Sequence, residues 1–149
     1  MNLDQLVIDL EKDESFRPYL YDDANGHALV KGSQIIGNPT VGIGWCPSTR
    51  LCEHELGVMI CKYQAQDTWD ELLKSFPWIA NLPESIQRAM TNMAFNLGIV
   101  EFEKFNTFIS LIKAGKYQEA SEDLKGTLWA KQVKSRATRL EGLINAQHI

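Results

Sequence analysis

The sequence lacks any run of about 18 apolar residues, so no segment is expected to cross a membrane. Its start, Met1-Asn2-Leu3-Asp4-Gln5, has no basic cluster followed by an apolar stretch. No secretory signal is therefore expected, and synthesis is assigned to a cytosol. Cysteine is scarce and odd in number: Cys46, Cys52 and Cys61 exclude a complete disulfide framework. Idle thiols are expected, with a Cys46–Cys52 bridge after export left open. Cys46, Cys52 and His54 match no standard zinc spacing, so no metal is expected, and no cofactor. His27 and His54 have no serine in a nucleophile-elbow context, which argues against a serine hydrolase triad. Repeats, low-complexity tracts and linkers are absent as well.

What is present fits one folded unit: 149 residues are enough to bury a real core, so a single domain over 1–149 is expected. The formal charge of −4 hides an asymmetry. Residues 1–103 carry −8 and residues 104–149 carry +4, the latter from Lys104, Lys113, Lys116, Lys125, Lys131, Lys134, Arg136 and Arg139 against 4 acids. Acidic and basic halves suit a cleft with one wall that attracts an anionic polymer, although a solvated face explains any single lysine equally well. Overall acidity argues against nucleic acid as a partner.

Leu3, Leu6, Val7 and Leu10 fall at helical spacing, with Asp4, Asp9, Glu11 and Lys12 on the other side, which predicts an amphipathic first helix. Between residues 17 and 45 the pattern changes. Tyr19, Tyr21, Val30, Ile35, Ile36, Val41 and Ile43 are separated by Asn25-Gly26, Gly32-Ser33 and Gly37-Asn38-Pro39, which predicts a small antiparallel sheet with hairpins. A long helix is expected from about Glu53 to Lys74, burying Leu56, Ile60, Tyr63, Leu72 and Leu73 and stopped by Pro77. Pro83-Glu84 opens another that buries Ile86, Ala89, Met90, Met93 and Leu97 and stops at Gly98. Further helices are expected at about 106–114, 117–124, 127–133 and 135–146. The fold class is α+β: a β-rich lobe over about 15–50, and a helical lobe over about 53–149 together with the N-terminal helix.

Two carboxylates stand out. Glu14 continues the apolar stripe of the first helix, which would carry it toward the interior. There its pKa should rise or a cation should meet it, as a general acid requires. A solvated loop position is the plain alternative. Nine residues on, Asp23 sits before Asn25-Gly26, where an ordinary turn aspartate would also sit. Together they supply the two carboxyl groups that hydrolysis of a glycosidic bond needs. Trp45, Trp69, Trp78 and Trp129 are read as packing residues before sugar platforms, and Met90 and Met93 as core fillers.

Asp13-Glu14-Ser15-Phe16-Arg17-Pro18-Tyr19-Leu20-Tyr21-Asp22-Asp23-Ala24-Asn25-Gly26, followed by Thr40-Val41-Gly42-Ile43-Gly44, resembles the active-site signature of phage-type lysozymes. That family includes the endolysin of the T-even phages. The resemblance implies Glu14 as acid, Asp23 as second carboxylate and Thr40 as its partner in holding a water. Asn92-Met93-Ala94-Phe95-Asn96-Leu97-Gly98 is similar to the family's central-helix segment, which implies a supporting polar role for Asn96. The stretch from Trp129 through Gln132 to Arg136 is similar to a late Trp…Gln…Arg segment, implying support from Gln132 and Arg136 as the cation for Glu14. Two departures stand against the T-even enzyme. Thirteen residues separate Gly26 from Thr40 where that enzyme has a much shorter turn, and Trp45 replaces a histidine.

The resemblance implies a lysozyme-like fold and an inverting muramidase. It would act as a monomer on bacterial peptidoglycan, without nucleic acid or stable membrane insertion. A phage endolysin is the implied setting: made in the host cytoplasm, delivered by a holin or another route, and acting in the periplasm. A tail-associated lysin, a secretion-system effector muramidase and a non-catalytic glycan-binding module are the alternatives. A lytic transglycosylase typically works with one essential Glu, so the Asp23 and Thr40 pair argues against it.

Overall fold

A computed structural model describes residues 2–146, with the side chain of Asp9 outside the described set. The chain divides into two units, one up to Gly57 and the other from Val58 onward.

The first unit opens with α1, Leu3–Glu14. The Asn2 side chain accepts from Gln5 N at 3.1 Å, and Asp4 and Lys12 lie in the first and last turns, where they complement the helix dipole. The expected helix is present, but Leu3, Leu6, Val7, Leu10 and Glu14 are all exposed, so the interior placement expected for Glu14 is not observed. The reason lies in this unit's composition. Among the described residues its buried ones are Tyr21, Asp22 and Thr40, which offer no apolar layer to cover such a stripe.

Strands β1, Arg17–Asp22, and β2, Pro39–Gly42, pair antiparallel, with Tyr21 opposite Thr40 and an irregularity between Arg17 and Tyr21. The expected turns are present, but between them the pairing is limited to an isolated bridge of Ala28 to Tyr21. Asp22 O accepts from Gly26 N at 2.7 Å, and Ser33 N donates to Val30 O at 3.0 Å. Val30 and Ile36 are 73% and 78% exposed, outside any strand. Side-chain bonds, one local and one across fourteen residues, take the backbone groups a ladder would use: Ser33 Oγ accepts from Val30 N at 2.9 Å, and Asp22 accepts from Ile36 N at 2.6 Å.

The long helix α2, His54–Ser75, matches expectation in extent but not in its buried side. Leu72 is fully buried and Leu73 packs on the core, whereas Ile60 and Tyr63 are exposed. After a 3-10 turn at Pro77–Asn81 comes α3, Glu84–Leu97, which buries Ile86, Ala89, Met90 and Met93, with Leu97 packed against them. Gly98, at φ 79°, ends it by donating to Ala94 O at 2.7 Å. Then follow α4 (Ile99–Phe102), α5 (Asn106–Lys113), α6 (Tyr117–Gly126), α7 (Leu128–Val133) and α8 (Ser135–Asn145). Thr127 caps α7, its hydroxyl accepting from Ala130 N at 3.1 Å. The core cluster runs from Leu72 to Ile144 and lies wholly in the second unit. Trp129 is inside it, edge-on to Phe105 at 6.4 Å, and Met90 and Met93 fill it as read. No described helix is long and apolar enough to cross a membrane.

Candidate active site

Glu14 is the last residue of α1, and the chain reverses immediately after it. Ser15 makes the reversal at φ 60°, a conformation non-glycine residues seldom adopt, while its N–H donates to Glu11 O at 3.0 Å. The Glu14 carboxyl lies against a second tight feature, the turn after β2. Val41 and Trp45 exchange hydrogen bonds of 2.8 and 3.0 Å, enclosing Gly42-Ile43-Gly44 with both glycines near φ 70°. A Cβ on Gly44 would stand 3.4 Å from Glu14 Oε2 and 3.5 Å from its Cδ. Gly44 supplies the left-handed backbone of this turn, and the Glu14 carboxyl lies at ordinary van der Waals distance from where its Cβ would stand. Trp45 is half-buried, and its backbone closes this turn.

The two adjacent aspartates after the β1 reversal have opposite environments. Asp22 is 1% exposed and accepts from Ala24 N (3.0 Å), Ile36 N (2.6 Å) and Gly37 N (2.9 Å). The Ile36 N–H chiefly holds its carboxyl below the usual aspartate value; burial opposes this, while the Ala24 and Gly37 N–H groups and His27 assist. Asp23 is exposed. Its N–H donates to Asn38 O at 3.0 Å, and its two oxygens accept from Asn38 N at 2.6 Å and Asn38 Nδ2 at 3.1 Å. Asp22 is consumed by structure, and Asp23 presents its carboxylate to solvent.

Thr40, 5% exposed, faces Tyr21 across the sheet and donates its hydroxyl to Asn38 O at 3.3 Å. Asn38 is therefore the common partner of Asp23 and Thr40. Arg17 fastens the turn from below: its guanidinium lies 4.2 Å from the centre of the Tyr21 ring, and Nη1 donates to Gly26 O at 3.0 Å. Asp22, Asn38 and Arg17 were not singled out by sequence reasoning. Their bonds span up to fifteen residues, and only the Asp22-Asp23 doublet hinted that two different duties were involved.

The remaining expected residues belong to the second unit. Asn96 is exposed near the end of α3 and accepts from Trp129 Nε1 at 2.8 Å, which satisfies the indole of that buried ring. Gln132 is exposed on α7. Arg136, half-buried in the first turn of α8, lines a hollow with Trp69, Gln87, Arg88, Asn92 and Phe95. Of the basic residues in the C-terminal third, Lys104, Lys116 and Lys125 pair with Glu101, Glu119 and Glu141. Lys113 lies 5.7 Å from the centre of the Trp78 ring.

The model of the phage lysozyme family matches residues 11–148. The pre-baseplate central spike protein Gp5 of Enterobacteria phage T4 is 28% identical across 91% of this chain and 26% of that protein. Probable T4-type lysozyme 1 of Dictyostelium discoideum is 27% identical across 65% of this chain and 54% of its own length. Probable T4-type lysozyme 2 of the same organism is 33% identical across 40% of this chain and 35% of its own length. The chain thus spans about half or less of the curated relatives it matches. The small two-stranded sheet near the N-terminus and the helices that follow are consistent with a lysozyme-like α+β fold. The chain belongs to the phage lysozyme family.

Proposed function

We propose that the chain is a muramidase that hydrolyses the β-1,4 bond between N-acetylmuramic acid and N-acetylglucosamine in bacterial peptidoglycan. One observation carries the reading beyond family membership. The same unit presents two exposed carboxylates on tightly built turns, Glu14 against Gly44 and Asp23 against Asn38, while the neighbouring Asp22 is sequestered. Glu14 is the general acid and gives its proton to the glycosidic oxygen as the bond to the anomeric carbon breaks. Asp23, with Thr40, holds a water on the opposite face and takes its proton as the water oxygen bonds to that carbon. Attack from the opposite face inverts the configuration. Asn96, Gln132 and Arg136 are assigned to substrate binding or support.

The enzyme works alone as a monomer. It is made in a host cytoplasm and acts in the periplasm as a phage endolysin, delivered by a holin or another route. A second setting is favoured by one comparison: similarity to a phage spike protein covers 91% of this chain, which suits a tail-associated lysin with the same chemistry.

Glu14→Gln is the test. It removes the donated proton and keeps the shape, so the purified variant should melt like wild type. Its clearing of chloroform-treated bacteria should fall by at least about a hundredfold. Clearing at a near wild-type rate would remove Glu14 as the acid. A wild-type protein that binds glycan but releases no new reducing ends would replace the enzyme reading with a binding module.

A further inference from the structure

We infer that Asn38 is the positioning residue for Asp23, brought to it by a latch on Asp22. The inference rests on the reading of Asp23 as the carboxylate that holds the attacking water. An aspartate at an exposed turn rotates about two side-chain bonds, and solvent competes for both of its oxygens. Here the same residue reaches both. Asn38 N donates to Oδ1 at 2.6 Å and Asn38 Nδ2 to Oδ2 at 3.1 Å, while Asn38 O accepts from Asp23 N at 3.0 Å. Two donors on two different oxygens fix the plane of the carboxylate. An ionised carboxylate accepts in about four directions, so about two remain for a water.

Asn38 does not reach Asp23 by local geometry, since fifteen residues separate them. The preceding pair is pinned first. Ile36 N and Gly37 N donate to the buried Asp22 carboxylate at 2.6 and 2.9 Å, which fixes the entry to Asn38. Gly37 completes the approach: a Cβ there would collide with the Asp23 carboxylate and stand 2.8 Å from Ala24 N. Thr40 donates to the carbonyl that Asp23 N also engages, so one residue sets the placement of both groups assigned to the water. Asp22 and Asn38 are positioning residues in this arrangement, and Asp23 is the catalytic one.

Steady-state hydrolysis of soluble peptidoglycan fragments separates this role from a structural one. Asn38→Ala keeps the backbone bonds and loses only the side-chain donor. Its kcat should fall roughly ten- to hundredfold, as misplaced catalytic groups typically cost, with KM within about twofold of wild type. Asn38→Asp keeps the size but sets a second carboxylate against Asp23, so its kcat should fall below that of the Ala variant even if it melts at a higher temperature. An Ala variant with wild-type kcat, or an Asp variant more active than the Ala variant, overturns the inference. Should the Ala variant not fold, the Asp variant alone decides: wild-type kcat overturns the role. Asp23→Asn, run beside them, is expected to be inactive. If it turns over like wild type, the assignment of Asp23 falls and the inference with it. If it is inactive while Asn38→Ala keeps full kcat, only the positioning role falls.

Discussion

Single residues in the first unit carry demands that their neighbours do not share. Gly44 holds φ +69°, a conformation that L side chains rarely adopt. Gly44→Ala should therefore destabilise by about 1–3 kcal/mol through backbone strain alone. The loss is read from a thermal melt. A melt equal to wild type would remove the strain at this backbone position. Asp22 makes a different demand, one tied to pH. Its folded-state pKa lies below the ordinary value of 3.8, so it contributes stability above that value and loses it as pH falls through the depressed folded value. Asp22→Ala should thus melt below wild type at neutral pH, with the gap narrowing as pH falls below the ordinary aspartate value of 3.8. A gap of equal size at neutral and at acid pH would contradict the hydrogen-bonded carboxylate.

At the scale of elements, helices were legible where apolar spacing was long and regular. The interior positions of α3, Ile86, Ala89, Met90 and Met93, follow from period alone, and Pro83 and Gly98 bracket the helix. The four-residue α4 was not anticipated, because one turn has no period to read. It nevertheless contributes the fully buried Phe102, edge-on to Phe76 at 6.2 Å. Phe102→Ala should cost about 3–5 kcal/mol. Val100→Ala, in the same helix at 66% exposure, should stay within about 0.5 kcal/mol, both read from denaturant melts. Equal costs would mean that α4 does not face the core. Between the isolated bridge at Ala28 and the start of β2, the β-branched residues that alternate with turn signals form no strand. What fixes this segment is a buried carboxylate and a serine hydroxyl that claim its N–H groups, which spacing does not reveal. The site was legible to the same depth. Glu14, Asp23 and the Thr40–Gly44 motif stand out through their resemblance to a known signature, whereas Asn38 and Asp22 act through contacts between distant parts of the sequence.

Across the molecule, the two units are held by different means. The second unit has a continuous apolar cluster from Leu72 to Ile144, and the first is tied by hydrogen bonds around Asp22, Asn38 and Arg17. That division suits the proposed chemistry, since a water-holding site requires fixed polar groups more than apolar bulk. Three of the C-terminal lysines, Lys104, Lys116 and Lys125, pair with acids of the second unit itself. The exposed pairs, Lys104–Glu101 and Lys116–Glu119, contribute about 0–1 kcal/mol each, so they bear on solubility more than on fold. The central claim is that Asp23 and Thr40 deliver a water to the sugar face opposite Glu14. Proton NMR of the first product formed from a β-linked peptidoglycan fragment tests it most directly. The account predicts the α-anomer in excess before mutarotation; an initial β-anomer would contradict it and make Asp23 a nucleophile instead of a holder of water.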